Sequence, residues 1–250
     1  MNLTNKVCLI TGGSGGIGSA TAIEFACRGA GIAITGLPTD RDAAERVRAA
    51  VENLGASCLC ISGDVGEPGE AARCVQETVE RFGRLDVLVH CAGAAAPGGL
   101  MKVSPETWYR AFDVHVHAIF HLCRAAVPYM IERQEGAIVL ISSSAGLRGC
   151  SGATAYGVAK GAVPQFARSL ARELAEHKIR VNAVAPGVIR TRFQDYLTPE
   201  QVLDNIGNRI PLRREGKPED VAAAIVMLAE NDFITGETVA IDGGMTMRIA

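Results

Sequence analysis

Tyr156 and Lys160 stand four residues apart in the run Ala155-Tyr156-Gly157-Val158-Ala159-Lys160. On a helix, positions i and i+4 share a face, so the two side chains project into one cleft. A tyrosine with its ordinary pKa near 10 is a sluggish acid at neutrality. A fixed ammonium about 4 Å away, at an effective dielectric near 20, is worth roughly 4 kcal/mol, or about three pKa units. The pair is therefore a means of trading protons with an oxygen near neutral pH. Ser143, at the end of the preceding predicted strand, supplies a hydroxyl to the same place.

A second chemical feature lies near the N-terminus, where Thr11-Gly12-Gly13-Ser14-Gly15-Gly16-Ile17-Gly18 follows an apolar run and opens a helical pattern. Glycines let a chain turn tightly and approach a pyrophosphate, whose charge then meets the free N–H groups of the helix start. Two registers fit, Gly13-x-Gly15-x-x-Gly18 and Gly12-x-x-x-Gly16-x-Gly18. A proton donor beside a bound nicotinamide dinucleotide is what carbonyl reduction requires.

The elements that must position these residues alternate regularly. Strands are expected at Val7–Ile10, Gly31–Thr35, Ser57–Ile61, Leu85–His90, Gly136–Ser142, Arg180–Ala185 and Thr238–Ile241. Helices are expected at Gly18–Arg28, Asp40–Leu54, Pro68–Phe82, Pro105–Arg133, Ala153–Glu176 and Pro218–Glu230. Continuous apolar strands between helices predict a doubly wound α/β fold, a parallel sheet with helices on both faces. No linker-like shift divides residues 1–250, which read as one domain. The stretch between Pro186 and Pro218 mixes Pro, Gly and Arg, and its length marks a substrate lid within about 187–217. Ligands in such folds sit at the carboxyl ends of the strands, where the notable residues fall.

Composition excludes several classes. A net charge of −2 argues against nucleic acid, which needs a basic face. The first apolar run, Val7–Ile10, is too short to span a membrane, and Met1–Lys6 does not read as a signal peptide, so the expected address is the cytoplasm. The eight cysteines are scattered and read as reduced core thiols, with no metal site.

The second glycine register, with Thr11, Gly12, Gly16 and Gly18, resembles the short-chain dehydrogenase/reductase family, as does the Tyr156–Lys160 pair. The similarity runs nearly end to end, through Gly63-Asp64-Val65, Ala92-Gly93, Ile141-Ser142-Ser143, Arg180 to Gly187, Gly216 to Val221, and Asp242-Gly243-Gly244. The resemblance implies a Rossmann domain and an NAD(P)-dependent oxidoreductase that moves a hydride between nicotinamide and a carbonyl or secondary alcohol. It makes Tyr156 the general acid/base. Lys160 lowers its pKa and binds the nicotinamide ribose, and Ser143 holds the substrate oxygen. Ser143 is chosen over Ser142 and Ser144 because it lies thirteen positions before Tyr156 and three before Gly146. Cofactor contacts are implied at Thr11, Gly12, Ser14, Gly16, Ile17, Gly18, Gly36, Asp64, Val65, Ala92, Gly93, Tyr156, Lys160, Pro186, Gly187 and Thr191.

This chain departs from the family twice. His90-Cys91-Ala92-Gly93 replaces the usual Asn-Ala-Gly, and His115 replaces an asparagine of the proton relay. His115 is accordingly a candidate, as a packing residue or as a proton shuttle. Gly36, where an acid would bind the NAD ribose, offers no carboxylate; with Arg41 nearby, this tips the expected cofactor from NAD toward NADP. The resemblance spans 3-oxoacyl-carrier-protein-reductase-like and sugar- or polyol-dehydrogenase-like members. It implies a homotetramer built on the two long helices, with Ala155, Ala159, Ala162, Phe166 and Leu170 as a packing stripe. The reading from a different class is a catalytically silent dinucleotide-binding sensor or scaffold, motivated by His90 and His115.

Overall fold

Seven parallel strands form one sheet in the order β3-β2-β1-β4-β5-β6-β7. They are Val7–Thr11 (β1), Gly31–Gly36 (β2), Cys58–Ser62 (β3), Val87–His90 (β4), Gly136–Ile141 (β5), Ile179–Pro186 (β6) and Thr238–Ile241 (β7). The computed structural model describes residues 1–67, 69–195 and 197–247; Pro68, the expected start of the third helix, lies outside the described residues. The chain winds outward from β1 to β3, then returns to the other side of β1 to lay down β4. The connections leaving β1 and β4 therefore run in opposite directions, and a crevice opens beyond their carboxyl ends.

Helices cover both faces, as the continuous apolar strands require. Gly16–Ala26 (α1), Arg41–Asn53 (α2) and Pro218–Glu230 (α9) bury Phe25, Val51 and Ile225 against one face. Glu70–Phe82 (α3), Ala118–Arg133 (α5) and Thr154–Leu174 (α7) bury Val75, Leu122 and Ala167 against the other. Of the eight free cysteines, Cys8, Cys74 and Cys123 are core thiols as expected, but Cys27 and Cys150 are exposed.

Three local features differ from the sequence expectation. The helix expected over Pro105–Arg133 is divided: Pro105–Phe112 (α4) passes into a wide π-helical turn at Asp113–His117 before α5 begins. A short helix, Ser144–Arg148 (α6), intervenes between β5 and α7, its first turn capped by the Ser143 hydroxyl accepting from Ala145 N. The 187–217 segment is not wholly irregular, since it holds a helix at Pro199–Asp204 (α8) with a Thr198 capping box. Its two ends are pinned together where Arg190 N donates to Gly216 O and Gly216 N donates to Val188 O.

The glycine turn uses the second register. Gly12 and Gly16 have φ of +63° and +52°, the left-handed region that disfavours other residues. A Cβ on Gly18 would lie 2.2 Å from Gly12 O, and one on Gly12 would lie 2.7 Å from Ala92 Cα. Those glycines permit the turn after β1 to press against both α1 and the loop after β4. Gly15, by contrast, is extended at φ −166° and would meet nothing within 4 Å. Gly18→Ala should therefore destabilise the fold by about 1–3 kcal/mol in urea unfolding, as overpacking does. Gly15→Ala should stay within about 0.5 kcal/mol; equal effects at the two positions would contradict this account of the turn.

Candidate functional site

A cleft of about 850 Å³ runs along the carboxyl ends of the strands, from α1 and α2 at one end to Ser143, Tyr156 and Lys160 at the other. At the first end, α1 starts at Gly15 with no side-chain cap and no acidic residue in its first turn. Its first backbone N–H groups and the positive end of its dipole are left to an external partner, which suits an anion. Gly12, Ser14, Gly16, Ile17 and Gly18 line this end; Ala92 and Gly93 line the middle. Pro186, Gly187 and Thr191 close the opposite wall, Thr191 packing so near Gly16 that a Cβ there would sit 3.2 Å from its methyl.

Four residues expected to contact the cofactor, Thr11, Gly36, Asp64 and Val65, are not among those lining this cleft. Thr11 is fully buried, and its hydroxyl accepts from Ala92 N and meets His90 Nδ1 at 2.8 Å, so it braces the loop after β4. Gly36 sits behind Ser14, whose Oγ lies 2.9 Å from where a Gly36 Cβ would be. Asp64 accepts from Gly66 N and is ion-paired with Arg110, and Val65 is buried.

At the other end, α7 presents Tyr156 and Lys160 on one face as the spacing predicts. Lys160 Nζ donates to Ile141 O at 2.7 Å and lies 5.9 Å from the centre of the Tyr156 ring. The ammonium is buried among neutral groups, with Cys91 as its neighbour, and burial lowers its pKa to about 7. Tyr156 is clasped between two rings, His115 edge-on at 5.5 Å and Phe193 at 5.8 Å. Ser142, the neighbour of Ser143, turns its hydroxyl away from the cleft mouth to donate to Lys160 O at 2.8 Å.

The two histidines at the departures from the family pattern, His90 and His115, are both buried. His90 is fully satisfied: Nε2–H donates to Val114 O in the π turn at 3.0 Å, and Nδ1 accepts from the Thr11 hydroxyl. Burial, and secondarily the nearby Lys160 charge, lower its pKa to about 3. His115 is likewise held well below the ordinary imidazole value, mainly by burial. Its Nε2 is engaged by Ala94 O at 2.9 Å, and its Nδ1 is buried without a partner among the described residues. Val114 and His115 both belong to the π turn, which brings His115 to the cleft wall and leaves Val114 O to accept from His90. Among the described residues, no group of three or more His, Cys, Asp or Glu is arranged to hold a metal.

The cleft also takes in residues outside the expected site set. Arg46 and Asp40 line the end beside α2, whereas Arg41 does not; both arginines are exposed. Phe193 and Arg192 come from the 187–217 segment. Arg46 adjoins the inward-facing Val47 and stands four residues before Ala50, which puts it near the inward edge of α2, but nothing in sequence joins that edge to the glycine turn. Ala155 and Ala159 of the expected packing stripe are fully buried, Ala155 with Ala96 and Ala111, while Phe166 and Leu170 pack on the core that α3, α5 and α7 share with the sheet.

Comparison with known proteins agrees with this arrangement. A family model described as enoyl-(acyl carrier protein) reductase matches residues 12–246. The chain is 39% identical to the 3-oxoacyl-[acyl-carrier-protein] reductase FabG of Thermotoga maritima over 249 residues, covering 99% of this chain and 100% of that protein. It is 37% identical over 252 residues to the (2S)-[(R)-hydroxy(phenyl)methyl]succinyl-CoA dehydrogenase subunit BbsD of Thauera aromatica, covering 99% of each. Among solved structures, a blue fluorescent protein from a metagenomic library, in complex with NADPH, superposes with a TM-score of 0.89 at 31% identity, covering 98% of this chain and 99% of the other.

The buried histidines set an acid limit. A folded pKa near 3 for His90, against about 6.5 unfolded, means its contribution is fully present above pH 6.5 and is lost as pH falls toward 3. The loss should reach about 2–3 kcal/mol by pH 4.5. Denaturant midpoints measured from pH 7 to 4.5 should fall steeply in wild type and less steeply in His90→Asn, which does not titrate. Parallel slopes would contradict the burial assigned to His90.

Proposed function

Because the chain belongs to the short-chain dehydrogenase/reductase family, we propose that this oxidoreductase is an NADP-dependent reductase of 3-oxoacyl thioesters. The observation that carries the reading is the convergence of Ser143, Tyr156 and Lys160 at one end of a cleft whose other end is an uncapped helix start. The residues present fit a dinucleotide. Gly12 and Gly18 let the turn close against the loop after β4 and against the start of α1, and the uncapped N–H groups of α1 suit a pyrophosphate. The nicotinamide, when bound, supplies the hydride.

The chain's own residues do the rest. Ser143 and Tyr156 hold the substrate carbonyl oxygen by hydrogen bonds. Tyr156 gives its phenolic proton to that oxygen as it becomes an alkoxide, and the Lys160 ammonium stabilises the phenolate left behind. Lys160 also holds the ribose nearest the reacting end. His115 is a packing residue under Tyr156: its Nε2–H ends on a carbonyl and its depressed pKa keeps it neutral, so the ring presents no through-route for a proton. Phe193, from the 187–217 lid, covers Tyr156 and excludes water from the transfer.

Arg46 is the cation that favours NADP, since it lines the cleft on the side of α2 that faces α1. Asp40 on the same wall opposes it. The thioester class is supported by the names of the two relatives above, one acting on a carrier-protein ester and one on a CoA ester. Arg192 lines the cleft mouth, whereas Arg190 and Arg214 are already tied to Glu215 and Asp220, so Arg192 is the guanidinium placed to meet the phosphate of a pantetheine arm. We further propose one domain over residues 1–250, a homotetramer with two-fold axes, and the cytoplasm as its location. Eight free thiols favour that reducing compartment, and no described helix is long and apolar enough to cross a membrane.

Cofactor absorbance at 340 nm, followed with 3-oxoacyl thioesters, enoyl thioesters, simple ketones and sugars, tests the substrate class. Oxidation of NADPH should be fastest with the 3-oxoacyl thioesters. Faster turnover of sugars would overturn that class, and cofactor binding without turnover of anything would favour the silent sensor. Tyr156→Phe should lower kcat by at least about 10²-fold while leaving cofactor affinity near wild type; near-normal turnover would remove Tyr156 from its role. Arg46→Ala should lower kcat/KM for NADPH by about tenfold and leave NADH within about twofold. A wild type that prefers NADH by about tenfold would reverse the cofactor assignment.

A further inference from the structure

We infer that Ser142 is a positioning residue for Lys160, made necessary by Pro164. In a continuous α-helix the carbonyl of residue 160 accepts from the N–H of residue 164. Pro164 has no N–H, and its ring crowds that carbonyl. The peptide concerned is buried, with Lys160 4% and Ser142 1% exposed, so water is not an easy substitute. The Ser142 hydroxyl fills the vacancy at 2.8 Å. Ser142 is itself fixed, because its backbone N–H donates to Val184 O at 2.7 Å and extends the β5–β6 pairing by one bond.

The consequence reaches the head of the same lysine. Its Nζ donates to Ile141 O, the residue just before Ser142. Two consecutive residues at the end of β5 therefore hold the root and the tip of one side chain, whose four-carbon stem would otherwise sample many rotamers. Gly146 completes the clamp: a Cβ there would lie 2.6–2.7 Å from the Lys160–Gly161 peptide, so only glycine lets α6 approach it this closely. The proline thus bends the ladder at the residue whose placement matters most, and the adjacent strand supplies the missing bond. Ser142 touches no reacting group and acts through Lys160. This inference rests on the role proposed for Lys160.

A double-mutant cycle tests it, using wild type, S142A, P164A and S142A/P164A, with S142T as the variant that keeps the hydroxyl. NADPH dissociation constants by fluorescence, the pH profile of kcat/KM and melting temperatures are measured for each. S142A should weaken NADPH binding, lower kcat/KM by about tenfold and displace the limb of the pH profile set by Lys160. In the P164A background, where the restored N–H takes the carbonyl, the same change should cost no more than about twofold. S142T should recover most of the loss. If S142A does not fold, S142A/P164A must fold and match P164A within about twofold. Equal losses in both backgrounds, an S142A enzyme with wild-type binding and pH profile, or a double variant that also fails to fold would overturn the inference. Failure of the Tyr156→Phe prediction would overturn the function instead, and would leave the NADPH-binding cycle as an independent measure of how Lys160 is placed.

Discussion

Lys160 carries an ammonium buried beneath the cleft, with no carboxylate paired to it among the described residues. Lys160 rests against Ile141 O and a neutral thiol, and burial brings its pKa down to about 7. An unpaired buried cation is costly, and native folds tolerate one where a ligand or a reaction makes use of it. Much of the surrounding structure serves to hold it. The end of β5 binds both ends of the side chain, α7 carries it beside Tyr156, and α6 is fitted against its peptide through Gly146. At the same time its low pKa means that the bare protein is only partly charged there near neutrality, so whatever binds in the cleft decides how fully the cation is present.

The second constraint is the helix start at the opposite end of the cleft. Among the described residues no side chain caps the first N–H groups of α1, and the glycines of this turn also bring it into backbone contact with the loop after β4. The topology places these two features on one crevice because β1 and β4 are neighbours whose connections diverge. Electropositive groups thus stand at both ends, a run of amides and a lysine, separated by a length of cleft lined by glycine and alanine. A long ligand that carries its anionic groups to the helix start and a neutral, hydrogen-bonding reactive end to the lysine is what such an arrangement accommodates.

The fold was largely legible because the signals were local and repeated. Apolar runs such as Leu9-Ile10 and Ile32 to Ile34 mark strands buried on both faces, and the glycine turn lies where strand becomes helix. Tyr156 and Lys160 were legible because i, i+4 spacing is itself a statement about geometry. The π turn was not legible: Val114-His115-Val116 continues a helical pattern, and the turn is stabilised by His90 reaching Val114 O from a distant strand. Helix α6 was hidden in a run of small residues and depends on the Ser143 cap. Arg46 and Phe193 enter the cleft through tertiary packing of α2 and of the 187–217 segment, which no spacing in sequence encodes. Arg41 is the expected cation by its nearness to Gly36 in sequence, whereas Arg46, five residues further along α2, is the arginine that lines the cleft there.

The central claim is that Lys160 is the buried cation which binding of the cofactor completes. Calorimetric titration of NADPH at pH 8, repeated in buffers of different ionisation enthalpy, counts the protons exchanged without any turnover. Ribose hydroxyls that accept from a lysine whose pKa is about 7, together with the dinucleotide's negative charge along the cleft, should raise that pKa, so binding at pH 8 should take up protons. The uptake should vanish in Lys160→Met. Binding with no buffer dependence, or with the same proton uptake in both proteins, would contradict the account.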